Sequence, residues 1–481
     1  MSFQTIPFLL FLCIVLAVLA ITKSERARQY ELLAASIIFY ASWDIKFLVL
    51  IALCAAIVHA AGRAILKNKR TGGCRIKFPF VISIVLLLTV LGIFKYLKFF
   101  VSGFCTLFGI QNSPVLSIIL PVGISFYVFS CIGYLVDIYR GEIADPVPFY
   151  QEALYIAFFP KLLQGPFQKA TDFYRQLARE HPITLADISD GMQIFLFGLI
   201  KKVVIADRLG LFVDAVYAKP GVYSGATLLL AAVTYPMQLY CDFSGYSDMA
   251  VGTAKMLGYE LPRNFNLPFL SRTVAEYWRR WHMSLNEWFR DYLFYPIVRS
   301  GWVNKVRKRT KSCSKQLARI ISSMIGTAIV WPLVGLWHGT SWNFILYGCL
   351  YGLLMIAGLV GDTYRKGKNE AFDVLRVIRT WGITIFAMIL FRAADLGTVG
   401  VVLKGIFTWQ KGISYIYTWS LIYIPIVMLA CVYAYKKNDG NGYYIQLDMG
   451  LFRNKVMFCT TALLMVILMY VGENYFMYFQ F

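Results

Sequence analysis

Long apolar runs separated by short polar connections dominate the chain. They cover 6–21 and then about 31–43, 46–65, 78–101, 115–138, 189–217, 224–257, 320–360, 381–394, 414–435 and 456–473. A helix crosses the ~30 Å hydrocarbon layer with about 20 apolar residues, so the pattern predicts on the order of ten spanning helices. The first run has no positive charge before it, and Lys23, Arg26 and Arg28 follow it. A secretory signal has the opposite polarity, so this helix is expected to be retained. Three stretches resist a simple spanning reading. Residues 149–167 carry Pro160, Gly165 and Pro166; 189–217 contain Lys201, Lys202 and Asp207; 320–360 are interrupted at Pro332 and Gly335. Charged or irregular backbone at membrane depth survives only where protein or a water-filled cavity surrounds it, so a site is expected there.

Composition sharpens this reading. Of the 481 residues, 58% are apolar and only 15% charged, against about 25% charged in soluble domains. A soluble enzyme is excluded. The 47 Lys and Arg outnumber the 26 Asp and Glu. In such a chain the basic excess marks cytoplasmic loops rather than nucleic-acid binding. Segments 63–77, 299–319 with eight basic residues and no acid, 365–379 and 436–437 are therefore expected inside. Parity then puts the C-terminus outside. The ten cysteines include no C-x-x-C pair, and neither a disulfide framework nor a metal site is expected. There is no internal repeat, and Asp439 to Gly442 reads as a turn.

Candidate chemistry is narrow. No G-x-S-x-G elbow, phosphate loop or H-E-x-x-H helix occurs. The run from Asp242 to Asp248 alternates oxygens faintly like a calcium loop, but its glycine is misplaced and Thr253 stands where a glutamate belongs; it reads better as a buried polar turn between helices. Residues 276–292, EYWRRWHMSLNEWFRDY, projected as one helix, place Trp278, Trp281, Leu285, Trp288, Phe289 and Tyr292 in an arc of roughly 100°. The charges occupy another arc and His282 lies at the seam. This predicts a helix at the interface or along a cavity, with a plain anchor bearing a solvated histidine as the alternative. His338 is sharper. It sits between Trp337 and Trp342 in an apolar segment that Pro332, Gly335 and Gly339 are expected to break. An imidazole at membrane depth is a functional candidate, and a neutral one can take a hydroxyl proton, as acyl transfer requires. A packing histidine is the competing reading. His59, near a loop edge, and His181 look bland.

The strings FFPKLLQGPF (158–167), CDFSGYSDMAVG (241–252), RNFNLPF (263–269), YWRRWHMSLNEWFRDYLFYP (277–296) and LWHGTSWNFILYG (336–348), in this order, resemble the membrane-bound O-acyltransferase (MBOAT) family. The similarity covers about 115–360 and the extreme C-terminus, and is greatest to the bacterial branch that acetylates alginate. It implies an all-α polytopic membrane protein, a ring of about ten to twelve transmembrane or re-entrant helices around a central funnel or tunnel. One membrane domain, 1–481, is expected: N-terminal helices in 1–114, a catalytic core in 115–360 with the interfacial helix 276–292, and C-terminal helices with an extracytoplasmic tail in 361–481. The family's near-invariant histidine falls on His338 and its second on His282. A tail tyrosine that accepts the acyl group falls on Tyr478. Trp337, Trp342, Asn343, Asp242, Ser244, Gln164, Trp281 and Arg279 are the tunnel candidates. The resemblance further implies acetyl-CoA as donor without a metal, a bacterial inner-membrane location, and an extracytoplasmic O-acetyltransferase or esterase-like acceptor protein as partner. A polysaccharide is the final acceptor, and membrane lipid rather than nucleic acid surrounds the chain. Carrier-protein-fed D-alanyl transfer to teichoic acid, and a transporter without a covalent acyl intermediate, are the rival readings.

Overall fold

The computed structural model describes residues 1–72, 76–110, 119–179, 183–364, 373–437 and 447–469. Among them regular structure is helical, with one isolated bridge between Tyr223 and Ile413. Among the described residues six helices are long and apolar enough to cross a membrane: Lys46–Arg70, Lys77–Cys105, Lys315–His338, Trp342–Thr363, Asp373–Arg392 and Thr418–Lys437; Ile6–Ile21 and Leu396–Phe407 are apolar but shorter. Large apolar side chains such as Phe78, Leu353 and Leu429 are exposed on them, as expected where the surrounding solvent is lipid. The chain is a multi-pass membrane protein.

Two compact units are present. The first comprises Met1–Leu196 with Tyr246–Pro262. The helix Ile124–Arg140 is its axis, buried along almost its whole length against Lys46–Arg70 and Lys77–Leu91. Gly123 starts it at φ 76°, where an added Cβ would lie 2.7 Å from the Leu162 carbonyl oxygen, so the position needs glycine. Proline and glycine break 149–167 into the short helices Phe149–Ala157 and Phe159–Leu162, both largely buried. His59 is not at a loop edge: it lies inside Lys46–Arg70, its Nδ1 2.6 Å from Glu152, which also accepts from the Tyr134 hydroxyl at 2.7 Å. Pairing across helices keeps this carboxylate buried.

The second unit comprises Phe197–Gly245 and Arg263–Phe481. Helix Gly225–Met256 runs 32 residues through Pro236 and belongs to this unit up to Gly245. The run from Asp242 to Asp248 is therefore helical, not a turn. Lys315–His338 likewise continues through Pro332 and Gly335 and stops at His338, so only Gly339 of the three expected breakers marks an end. It returns as Trp342–Tyr364. The two helices touch through glycines: a Cβ on Gly335 would overlap the Phe344 carbonyl oxygen, one on Gly348 the Trp331 carbonyl oxygen. Lipid offers no hydrophobic drive for helix pairing, and small residues that let backbones approach supply packing instead. The basic segment 299–319 is largely the helix Gly301–Cys313, with Lys305, Arg307, Lys308, Arg309 and Lys311 along it.

Candidate active site

The site forms in the second unit, where the chain departs from regular helix. Residues 276–292 do not make one helix. Val274–Arg280 ends, Trp281 is extended, His282 adopts φ 45°, ψ 52°, and a new helix runs Met283–Phe289. The break has side-chain causes that helical projection does not capture. Asn286 Nδ2 donates back to the carbonyls of Trp278 and Trp281 at 2.8 and 2.7 Å. The N–H of Met283 donates to the Asn264 carbonyl at 2.8 Å. A left-handed conformation is strained for a residue with a Cβ, and this web of bonds holds it.

His282 is consequently 1% exposed rather than solvated. Its Nδ1 lies 2.9 Å from Asn264 Oδ1, which also accepts from the Ser284 hydroxyl at 2.9 Å and the Ser284 N–H at 3.3 Å. The backbone N–H identifies that Asn264 atom as the oxygen, so Nδ1 carries the proton and Nε2 the lone pair. Burial, with a smaller contribution from His338, holds the His282 imidazole well below its ordinary pKa. The ring is neutral at physiological pH.

His338 ends its helix at 3% exposure. Its ring meets Trp337, Phe391 and Tyr347 edge-on, with centroids at 4.8, 5.1 and 6.1 Å. Trp337 also lies 5.8 Å from the His282 ring. The two histidines, far apart in sequence, thus flank one indole. Asn343 is buried and donates to the Ala393 carbonyl at 2.9 Å, tying the return helix to the end of Asp373–Arg392. Phe391 packs on the His338 ring from that helix. It lies outside the stretch that sequence motifs marked, as an apolar residue in an apolar run carries no signal.

The remaining candidates divide. Trp281 is buried, stacked on Tyr277 at 5.5 Å. Asp242 and Ser244 are buried but face Lys202 and Lys201, while Phe243 between them meets His282 at 4.6 Å. Trp342 is 63% exposed on the first turn of its helix rather than enclosed with the histidines. Arg279 lines a cleft of about 420 Å³ with Trp278, Met283, Glu287, Arg290 and Trp331. Met283 follows His282 directly, and Val334, one turn before His338, also lines the cleft. Gln164 is buried in the first unit. Tyr478 and His181 lie outside the described residues. Asn264 and Ser284, inside the family-like strings but not singled out there, orient His282; an asparagine 18 residues upstream of a histidine is invisible as a partner until the chain folds. Among the described residues, no group of three or more His, Cys, Asp or Glu side chains is arranged to hold a metal ion.

The depressed His282 pKa has a consequence for stability. Unfolding exposes an imidazole of pKa ~6.5 that binds protons more readily than the folded one, so this contribution is complete above that value and lost as pH falls below it. Denaturation of the purified protein in detergent should show a lower midpoint at pH ~5.5 than at ~7.5, on either side of that value. His282→Gln should reduce that difference; an equal slope in both proteins would show that other groups govern it.

Residues 139–386 match the membrane-bound O-acyltransferase family. The probable alginate O-acetylase of Pseudomonas aeruginosa is 33% identical, covering 85% of this chain and 76% of that protein. The peptidoglycan O-acetyltransferase of Helicobacter pylori is 31% identical over 80% and 75%. The teichoic acid D-alanyltransferase of Bacillus subtilis is 28% identical over 58% and 70%. The matched stretch contains both imidazoles, their shared indole and the glycine-packed hairpin, and the chain belongs to the membrane-bound O-acyltransferase family as a multi-pass O-acyltransferase.

Proposed function

We propose that the protein takes acetyl from cytoplasmic acetyl-CoA and delivers it across the bacterial inner membrane for O-acetylation of a cell-surface or secreted polysaccharide. The observation that carries this reading is the pair of buried imidazoles about Trp337 in a chain whose relatives are named as O-acetylating enzymes over most of their length. His338 acts as general base. It takes the acceptor hydroxyl proton as that oxygen attacks the thioester carbon, and returns it to the leaving thiolate. His282 orients groups beside it. The cleft, lined by Arg279 and Arg290 together with Glu287, Trp278 and Trp331, suits a thioester donor whose head carries phosphates. Basic residues of 299–319 lie on the cytoplasmic side in this reading, and the C-terminus outside.

Tyr478 serves as the relay. A phenol with pKa ~10 leaves better than an aliphatic alcohol, so a tyrosyl ester stays activated for passage to a sugar or serine hydroxyl of an extracytoplasmic partner. Incubation of purified protein with labelled acetyl-CoA, followed by peptide mapping, tests donor and relay together. Label on Tyr478, absent in Tyr478→Phe, is expected. Label only when a charged carrier protein replaces acetyl-CoA would favour D-alanyl-type transfer, which the relative from Bacillus subtilis is named for. Transport without labelling would sink both.

A further inference from the structure

Two consecutive lysines, Lys201 and Lys202, are buried on the π-helical turn Lys201–Ala206. Both reach the same turn of the Gly225–Met256 helix. Lys201 Nζ donates to Ser244 Oγ at 2.9 Å, and Lys202 Nζ lies 2.6 Å from Asp242 and 2.8 Å from Asp207. The backbones are close here as well: a Cβ on Gly245 would stand 2.7 Å from the Gly198 carbonyl oxygen and 3.2 Å from the Lys202 nitrogen. Lys202 meets two carboxylates and Lys201 a hydroxyl oxygen, partners that make burial of the pair tolerable. Buried pairs of this kind add little net stability over apolar packing, and their better-attested use is to select one register.

The register selected here places Phe243. Asp242 and Ser244 lie about 100° to either side of it on the helix, so anchoring both prevents the helix from turning about its axis. Phe243, fully buried, then meets the His282 ring at 4.6 Å and 88°, and Phe265 at 5.1 Å. Asn264, beside Phe265, receives Nδ1 of the same imidazole. His282 is thereby gripped at one nitrogen and against its ring by two separate segments. The geometry points to Lys201 and Lys202 as positioning residues for His282, acting through Asp242, Ser244 and the Phe243 ring. Its catalytic consequence rests on the role given to His282 above.

The test uses the full-length protein in nanodiscs, labelled with ¹⁵N-histidine, with the His282 resonances assigned by their loss in His282→Gln. In Lys201→Met, Phe243→Leu and Ser244→Ala, displacement of a reacting group by under an ångström is expected to lower kcat about tenfold. KM for acetyl-CoA should stay within about twofold, since binding is untouched. The His282 resonances should shift or broaden in all three. Ser244→Ala removes only one hydroxyl, so it keeps the test valid if a lysine variant fails to fold. A slower enzyme with unchanged His282 resonances would reduce the cluster to a structural role, and unchanged kcat and resonances in Phe243→Leu would overturn the proposal. If His282→Gln itself turns over normally, the catalytic reading of His282 fails, while the resonances still report whether the lysines position the ring.

Discussion

His338→Ala should lower acyl transfer by about 10²–10⁴-fold, the usual contribution of a positioned general base, with the protein still inserted and folded. Rings that meet it edge-on cannot take the proton instead. In Trp337, Tyr347 and Phe391 the indole and phenyl have no basic atom and the phenol is a weak acid at neutral pH. His282 stands across the Trp337 indole from it, with its Nδ1 held by Asn264. The substitution removes a ring at the last position of a helix, where few backbone bonds depend on it. Turnover of labelled donor by purified variant and parent, with thermal unfolding of both, separates chemistry from folding. Near-normal turnover in the variant would remove His338 from the mechanism.

The second large effect is on folding. Gly335→Val should deplete the folded protein, because the added Cβ would overlap the Phe344 carbonyl oxygen and stand 3.0 and 3.1 Å from the Phe344 carbon and the Gly348 nitrogen. Those are backbone atoms of the facing helix and cannot rotate away. The hairpin must open, at an overpacking cost at or above the usual ~1–3 kcal/mol, and opening it moves the nearby His338. Gly358→Ala on the return helix is the internal control, since nothing lies within 4 Å of the place its methyl would take; helix propensity favours alanine there by about 1 kcal/mol. Yield of monodisperse protein in detergent and its melting temperature measure both. Equal behaviour of the two variants would mean that the glycine contact does not hold the hairpin.

Membrane insertion, helical class and family were legible from apolar runs and ordered motifs, because each depends on residues close in sequence. Hydropathy also exposed His338 as an anomaly, a polar group in apolar surroundings, whereas His282, in the charged stretch 276–292, was marked by the family-like string around it. The helical projection of 276–292 failed for a definite reason. Periodicity assumes that backbone N–H groups bond within the segment, whereas those of Met283 and Ser284 go to Asn264. Trp342, a tunnel candidate from its place in the family-like string, stands on the first turn of its helix and is 63% exposed.

Residue order alone thus requires that this chain live in a membrane and that it be built of helices, and it marks His338 as an imidazole set in an apolar segment. The partners of that ring and of His282 emerge only on folding. Asn264 at Nδ1 of His282, Phe243 against its ring, and Phe391 against His338 all come from other segments of the chain. The physical reason is that hydropathy is a property of each residue summed along the chain, whereas a tautomer or a ring orientation is set by a single contact, and contacts are made by helix packing. A buried asparagine or phenylalanine looks the same in sequence whether or not a catalytic ring lies beside it.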